Sequence, residues 1–237
     1  MKLIFIRHGD PNYEIDSLTT KGWREAEFLS ERIKNWKIDK IYCSPLGRAK
    51  DTASLSLKKL NREAEIKEWL KEFYYPVYHE EMGREHCPWD FLPSLWTGLI
   101  EGYDKDNWYK LQILNNPEIK PKYDEVCKGL DDILKEHGYE RHEGYYLTNG
   151  LDNDETIVFF CHLGVSFVML SHLLNISPFV LWHTFFVAPT SVTIVGAEER
   201  NKGEAQFRVQ IMGDTRHLPE HNEPISGAGY FTNPFQG

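Results

Sequence analysis

An α/β fold is what this sequence predicts: a three-layer sandwich with a mostly parallel central sheet flanked by helices, plus an inserted helical cap. Three observations predict it. Short apolar runs at 2–7, 39–43 and 156–161 are each followed by a loop or turn and then a segment of helical apolar spacing. The run TIVFFC at 156–161 is apolar over its whole length after the threonine and bounded by charges, as in a strand covered on both faces. With 237 residues, 41% of them hydrophobic, the chain can bury one sizeable core.

Taken in order, KLIFIR (2–7) is the first strand, and it runs directly into Arg7-His8-Gly9. A helix follows from Thr19 or Thr20, either of which can cap it, with Trp23, Ala26, Leu29, Ile33 and Trp36 on one face. Asp39 to Cys43 is a second short strand, and Ser44-Pro45 suits entry into a helix that continues through Ala49, Ala53 and Leu57. EAEIKEW (63–69) alternates as a strand does. After the central run 156–161 comes a helix from Gly164 to Leu174. Two late strands follow, near 191–197 and 205–212, parted by the polar turn EERNKGE.

Residues 72–155 break this rhythm. They are rich in Trp, Tyr and Pro and hold 19 acidic against 8 basic residues, a net of −11 beside −9 for the whole chain. The expectation is a single domain over 1–237. It carries a largely helical cap inserted at about 73–155, with Tyr123 to His137 its clearest helix, and an irregular tail at about 213–237. The charge balance argues against nucleic-acid binding, so an anion site here must be a local basic pocket. The N-terminal apolar run is too short for a secretory signal, and no run reaches the roughly 20 apolar residues of a membrane span. Cys43, Cys87, Cys127 and Cys161 form no C-x-x-C pair, so reduced thiols in a cytoplasmic protein are expected.

The chemistry concentrates in five pieces: Arg7-His8-Gly9; Leu18-Thr19 with Gly22; SPLGRA (44–49) with Thr52-Ala53; Glu72; and His162 within CHLG. The basic members fall at the C-terminal ends of expected strands, the edge where open α/β sheets bind ligands. Two arginines and two histidines meeting there describe a site for a dianion, because the guanidinium fork grips phosphate oxygens and keeps its charge. His8 is the candidate nucleophile: a neutral imidazole attacks through one nitrogen when the other is held by a hydrogen bond. Arg7, Arg48 and His162 would stabilise charge on the transferred group. Glu72 would be the proton donor, its acid form favoured beside an anion, with Glu80, Glu81 and Glu85 as rivals.

These motifs resemble the histidine phosphatase superfamily, the branch that includes cofactor-dependent phosphoglycerate mutase and its phosphatase relatives. RHG is similar to its phosphohistidine motif, SPLGRAKDTA to its S-P-x-x-R-A-x-x-T-A, CHLG to its G-H-G-G, and APTSVTIV (188–195) to its late P-N-x-S-x-T strand. The resemblance spans about 1–72 and 156–215. It implies a phosphohistidine on His8, Arg48 as second phosphate arginine, His162 as second histidine and Asn12 as a phosphate ligand. The first expectation is therefore a metal-independent phosphatase without a cofactor, acting on a small phosphorylated organic substrate. The alternatives are mutase-type phosphoryl transfer and a non-catalytic relative that binds phospholigands. His79, His86, Cys87, His137 and His142 match no tight metal-ligand spacing and are read as loop or cap residues; His217 and His221 are read as surface or packing residues. The group Trp89, Phe91, Trp96, Trp108 and Tyr109 is read mostly as cap core, with a minority lining the substrate cleft.

Overall fold

The computed structural model describes residues 1–150, 153–230 and 232–235. In chain order the elements are β1 (Lys2–Arg7), β2 (Pro11–Asn12), β3 (Ser17–Leu18), α1 (Thr20–Ile33), β4 (Lys40–Cys43), α2 (Gly47–Leu60), β5 (Glu65–Ile66), β6 (Val77–His79), β7 (Arg84–His86), α3 (Pro93–Trp96), α4 (Ile119–Glu136), β8 (Tyr139–His142), β9 (Tyr145–Thr148), β10 (Thr156–Cys161), α5 (Leu163–Leu174), α6 (Pro178–Thr184), β11 (Val192–Asn201) and β12 (Glu204–Asp214). The eight-stranded sheet has the order β5-β4-β10-β1-β11-β12-β9-β8. Its first four strands are mutually parallel, and the pairs from β1 to β8 are antiparallel.

The pleat explains the two cores. Along β1 and β10, Leu3, Phe5, Ile157, Phe159 and Cys161 face one side, packing with residues of α4, α5 and α6. Ile4, Ile6, Val158 and Phe160 face the other, packing with Leu29 and Ile33 of α1 and with Ala49 and Ala53 of α2. The sheet thus lies between two helical layers. Among the described residues, no helix is long and apolar enough to cross a membrane.

Several elements differ from the sequence reading. Trp23 is 38% exposed, and the buried stripe of α1 runs instead through Gly22, Glu25, Ala26, Leu29 and Ile33. Trp23 stands off this stripe by one position in the 3.6-residue period, while Glu25 enters it because its carboxylate has a backbone partner inside. Of the segment 63–69, only Glu65–Ile66 pairs as a strand; a 3-10 turn at Glu68–Leu70 follows. The stretch read as a helical cap divides in two. Residues 77–114 form a small hairpin and short turns of helix, whereas α4, β8 and β9 join the body, β9 pairing with β12 at the sheet edge. The tail is irregular but tied to α1 by Lys21 and Arg24, which both pair with Glu223.

Candidate active site

Three adjacent parallel strands, β4, β10 and β1, deliver the motif residues to one edge. Their register aligns Arg7 with Cys161 and Phe160 with Cys43, so His8 and His162 emerge at the same level and Ser44 one residue short of it. The His8 N–H donates to the Cys161 carbonyl (3.0 Å), and the Ser44 N–H to the Phe160 carbonyl (2.9 Å), extending both ladders by one step. Two glycines let the chain turn tightly here. A Cβ on Gly9 would lie 2.9 Å from the Gly22 carbonyl oxygen, and one on Gly22 would lie 2.3 Å from that of Asp10.

His8 is buried, and its Nδ1 lies 2.8 Å from its neighbour's carbonyl, Gly9 O. A carbonyl only accepts, so the proton is assigned to Nδ1 and the lone pair to Nε2. Burial, then Arg7, pushes the imidazole pKa well below its ordinary 6.5, so the ring is neutral at pH 7. The His162 ring lies 5.1 Å away, centroid to centroid. His162 caps α5 and is likewise held neutral by burial and by the nearby charges. Its Nε2 is 2.7 Å from Ser44 Oγ, which also accepts the Leu46 N–H (3.2 Å). With the Ser44 hydroxyl donating to Nε2, the His162 proton resides on Nδ1, a buried atom with no partner.

The two arginines come from different elements, Arg7 from the end of β1 and Arg48 from α2. Arg7 donates through Nη1 to the Val187 carbonyl (2.7 Å) and lies 5.3 Å from the Phe186 ring centroid. Arg48, in the first turn of α2, donates through Nη1 to Asp16 Oδ1 (2.6 Å) and sits 5.4 Å from the Tyr13 ring. Burial opposes ionisation of Asp16, but the Gly47 N–H and the Arg48 guanidinium hold its carboxyl below the ordinary range. Arg7 Nε and Arg48 Nε are buried donors without partners.

Glu72 reaches the same place from the loop after β5. Its Oε1 accepts the Phe73 N–H (2.8 Å) and the Val165 N–H (3.1 Å) at the start of α5. Burial raises its pKa above the usual 4.5, against the pull of that Phe73 N–H and of Arg48 and Arg7. Gly164 makes room for it: a Cβ there would fall 2.7 Å from Glu72 Oε1 and 2.6 Å from the Trp89 ring. This close approach falls on the second of the two residues after the histidine, which CHLG keeps as glycine.

Arg7, His8, Arg48, Glu72 and His162 therefore share one site. Asn12 does not join them through any contact of its own: its Oδ1 accepts the Glu14 N–H (3.1 Å) in a local turn beside Tyr13. Asp16 and Phe186, which border Arg48 and Arg7, went unread as site residues. Asp16 has no local signature, since its partner Arg48 lies 32 residues away. His217, read as a surface or packing residue, is fully buried.

A second group also gathers, against the spacing argument. His86, Cys87 and Asp90 place potential metal ligands within 4.8 Å of one another. The His86 Nδ1 accepts the Cys87 N–H (2.8 Å), which puts the ring proton on Nε2, the nitrogen that faces Asp90 at 3.4 Å. As arranged, that nitrogen is a donor to a carboxylate and not a ligand.

Comparison with known proteins points to the same fold. Residues 3–89 match the family model described as histidine phosphatase superfamily (branch 1). A 2,3-bisphosphoglycerate-dependent phosphoglycerate mutase of Thermoplasma acidophilum is 27% identical over 124 residues, 46% of this chain; the match spans 60% of that relative's length. Among solved structures, a phosphoserine phosphatase variant from Entamoeba histolytica, in complex with phosphoserine, superposes with a TM-score of 0.61. It is 20% identical and covers 92% of this chain and 98% of its own. A mycobacterial glucosyl-3-phosphoglycerate phosphatase has a TM-score of 0.57 at 17% identity, covering 90% and 98%. The α-ribazole phosphatase of Shigella flexneri has 0.56 at 19%, covering 91% and 97%.

Proposed function

We propose that this chain, whose residues 3–89 match the histidine phosphatase superfamily, hydrolyses a small phosphate monoester through a phosphohistidine on His8. One observation carries the reading. Arg7 Nε, Arg48 Nε and, in the tautomer assigned above, His162 Nδ1 are buried N–H donors without partners, at the ends of β1 and β10 and in the first turn of α2. An unpaired buried donor costs about 1–3 kcal/mol, and a tetrahedral dianion is the ligand that three such donors would satisfy together.

The chemistry follows from the proton assignments. His8 Nε2 attacks phosphorus, forming the N–P bond as the ester P–O bond breaks. Glu72, whose acid form is favoured by its burial, gives its proton to the leaving oxygen. Once ionised, it takes a proton from water, whose oxygen attacks phosphorus, breaks the N–P bond and releases phosphate. The Gly9 carbonyl stabilises the charge that develops on the His8 ring during attack. Arg7, Arg48 and His162 stabilise the equatorial oxygens, so the chain's own side chains supply the positive charge and no metal is needed. The four buried cysteines, all unpaired, suit a reducing cytoplasm.

The mutase relative makes phosphoryl transfer between two positions of one substrate the second reading. That reaction needs further cations for a second anionic group. The groups that border the two arginines here are the aromatic rings Tyr13 and Phe186, with Trp89 against Glu72. This favours hydrolysis and a substrate with an apolar face. Purified protein should release phosphate from p-nitrophenyl phosphate, and the His8→Ala variant should be slower by about 10⁴-fold or more. Equal, background release by both would sink the catalytic reading and leave a phospholigand-binding protein. Turnover of 3-phosphoglycerate only with 2,3-bisphosphoglycerate present, and without hydrolysis, would install the mutase instead.

A further inference from the structure

We propose that His217 is a positioning residue for His8, acting through the backbone of Thr190; the inference rests on the role of His8 just proposed. Thr190 has a φ of +56°, a left-handed conformation that a β-branched residue rarely adopts. In this conformation its N–H points back at the end of β1 and is shared between the carbonyls of Arg7 (3.1 Å) and His8 (3.2 Å). The Arg7 N–H in turn donates to the Ser191 carbonyl (3.3 Å), so the turn at 188–191 clamps the nucleophile's backbone from both directions.

His217 holds that turn. The Thr190 hydroxyl donates to the Pro189 carbonyl (2.7 Å), which leaves Oγ1 to accept from His217 Nε2–H at 3.0 Å. The other ring nitrogen, Nδ1, then accepts from Arg32 Nη1 at 3.4 Å, and Arg32 is fixed by Asp214 at 2.8 Å. Each proton in the chain Asp214–Arg32–His217–Thr190 has one consistent place. The imidazole is fully buried, and burial followed by Arg32 lowers its pKa to about 3, so it works as a neutral spacer with one donor and one acceptor. The tail that supplies His217 thus reaches the reacting centre without touching substrate.

Two substitutions and a rescue test this. His217→Leu keeps the volume and removes the donor; Thr190→Val removes the acceptor and leaves His217 in place. Each should lower kcat on p-nitrophenyl phosphate on the order of 10- to 100-fold with KM changed less than about twofold, the size expected when a reacting group is misplaced. The double variant should be no slower than the worse single one, and His217→Gln, whose amide N–H replaces Nε2–H, should recover to within about threefold of wild type. In protein labelled with ¹⁵N-histidine, His8 should show the single Nδ1–H tautomer in wild type and His217→Gln, and a shifted or averaged pattern in the other two. Folded His217→Leu or Thr190→Val with kcat within threefold of wild type, or losses that multiply in the double variant, would overturn the proposal. If wild type has no phosphatase activity, the function fails but the nitrogen shifts still decide the network: an unchanged His8 spectrum in both variants overturns it. Should His217→Leu fail to fold, Thr190→Val decides alone, by the same rate and nitrogen-shift criteria.

Discussion

Two of the regions that enclose histidines in this molecule differ in what surrounds the rings. At the sheet edge, His8 and His162 face Arg7 and Arg48 and are held neutral by burial and by those cations. In the small hairpin region, His79 stacks on Phe91 at 4.0 Å, His86 faces Asp90, and His183, lowered to about 4 by burial, lies 5.0 Å from Trp96. Both regions contain a buried imidazole nitrogen without a partner. Burial of an imidazole therefore does not mark the reacting centre; company does. Cations around a ring add to burial in keeping its nitrogen unprotonated, and they attract an anion. Carboxylates and aromatic rings around it make a packed interior piece.

Beyond the loss of His8 itself, the largest expected effect is at Glu72. Glu72→Gln should slow an alkyl phosphate by about 10³-fold and p-nitrophenyl phosphate much less, because a good leaving group needs no proton. The pH profile sharpens the point. Phosphoryl transfer needs a neutral His8 and a protonated Glu72. Burial lowers the first from 6.5, so activity is lost by His8 protonation only in acid well below that value; burial raises the second above 4.5, so kcat/KM falls as pH climbs past that raised value. Glu72→Gln should abolish this falling limb. A wild-type profile that rises through the neutral range and is untouched by the substitution would assign the acid elsewhere.

Arg48→Ala comes next, with a loss of about 3 kcal/mol in transition-state stabilisation, roughly 10²-fold in rate. Arg48→Lys should recover little, because the Asp16 contact on Nη1 and the phosphate contact proposed for the free Nε would need two edges of the guanidinium at once. A loss below threefold for Arg48→Ala would remove it from the site and erase the contrast in cations drawn above.

How much of this was legible in the sequence follows from distance along the chain. Arg7-His8, Arg48 and His162 could be read because each lies at a strand end, and because parallel neighbours in register bring such ends together. The helices after them could be read from their apolar period. Asp16, Thr190 and His217 could not, since each acts on a residue 27 or more positions away, through geometry that no local pattern encodes. The stretch 119–148 misled for a related reason. Its composition is that of its acidic neighbours, yet β9 pairs with β12, a strand more than 50 residues later that supplies the edge it needs.

A smaller effect, on stability, separates the phosphate loop from its support. Glu25 is fully buried in α1, and its Oε2 accepts the Asp10 N–H (2.9 Å) just after the glycine turn. Burial raises its pKa from 4.5 to about 7. A raised value means the folded state holds the proton more tightly than the unfolded chain. Its contribution to stability is then fully present below 4.5 and is lost as pH rises to about 7, amounting to about 1–3 kcal/mol. Glu25→Gln should flatten the fall in Tm between pH 5 and 8. Parallel Tm curves for the two proteins would show that Glu25 is already ionised in the fold.

The smallest expected effect bears most directly on the comparison, because it asks whether the hairpin histidines do chemistry at all. His86 Nε2 carries the ring proton while Nδ1 receives the Cys87 N–H, and the Cys87 thiol is pushed up by burial and by Asp90, which it faces at 3.1 Å. A zinc ion would have to displace a proton from the nitrogen and another from the thiol, and the one carboxylate that pairs with both would have to turn to the metal. His86→Ala should therefore leave phosphatase activity within about twofold of wild type, and neither excess zinc nor a chelator should move Tm. A zinc-dependent rise in Tm that His86→Ala removes would make the hairpin a metal site, and the distinction between the two histidine regions would become one of ligand, not of function.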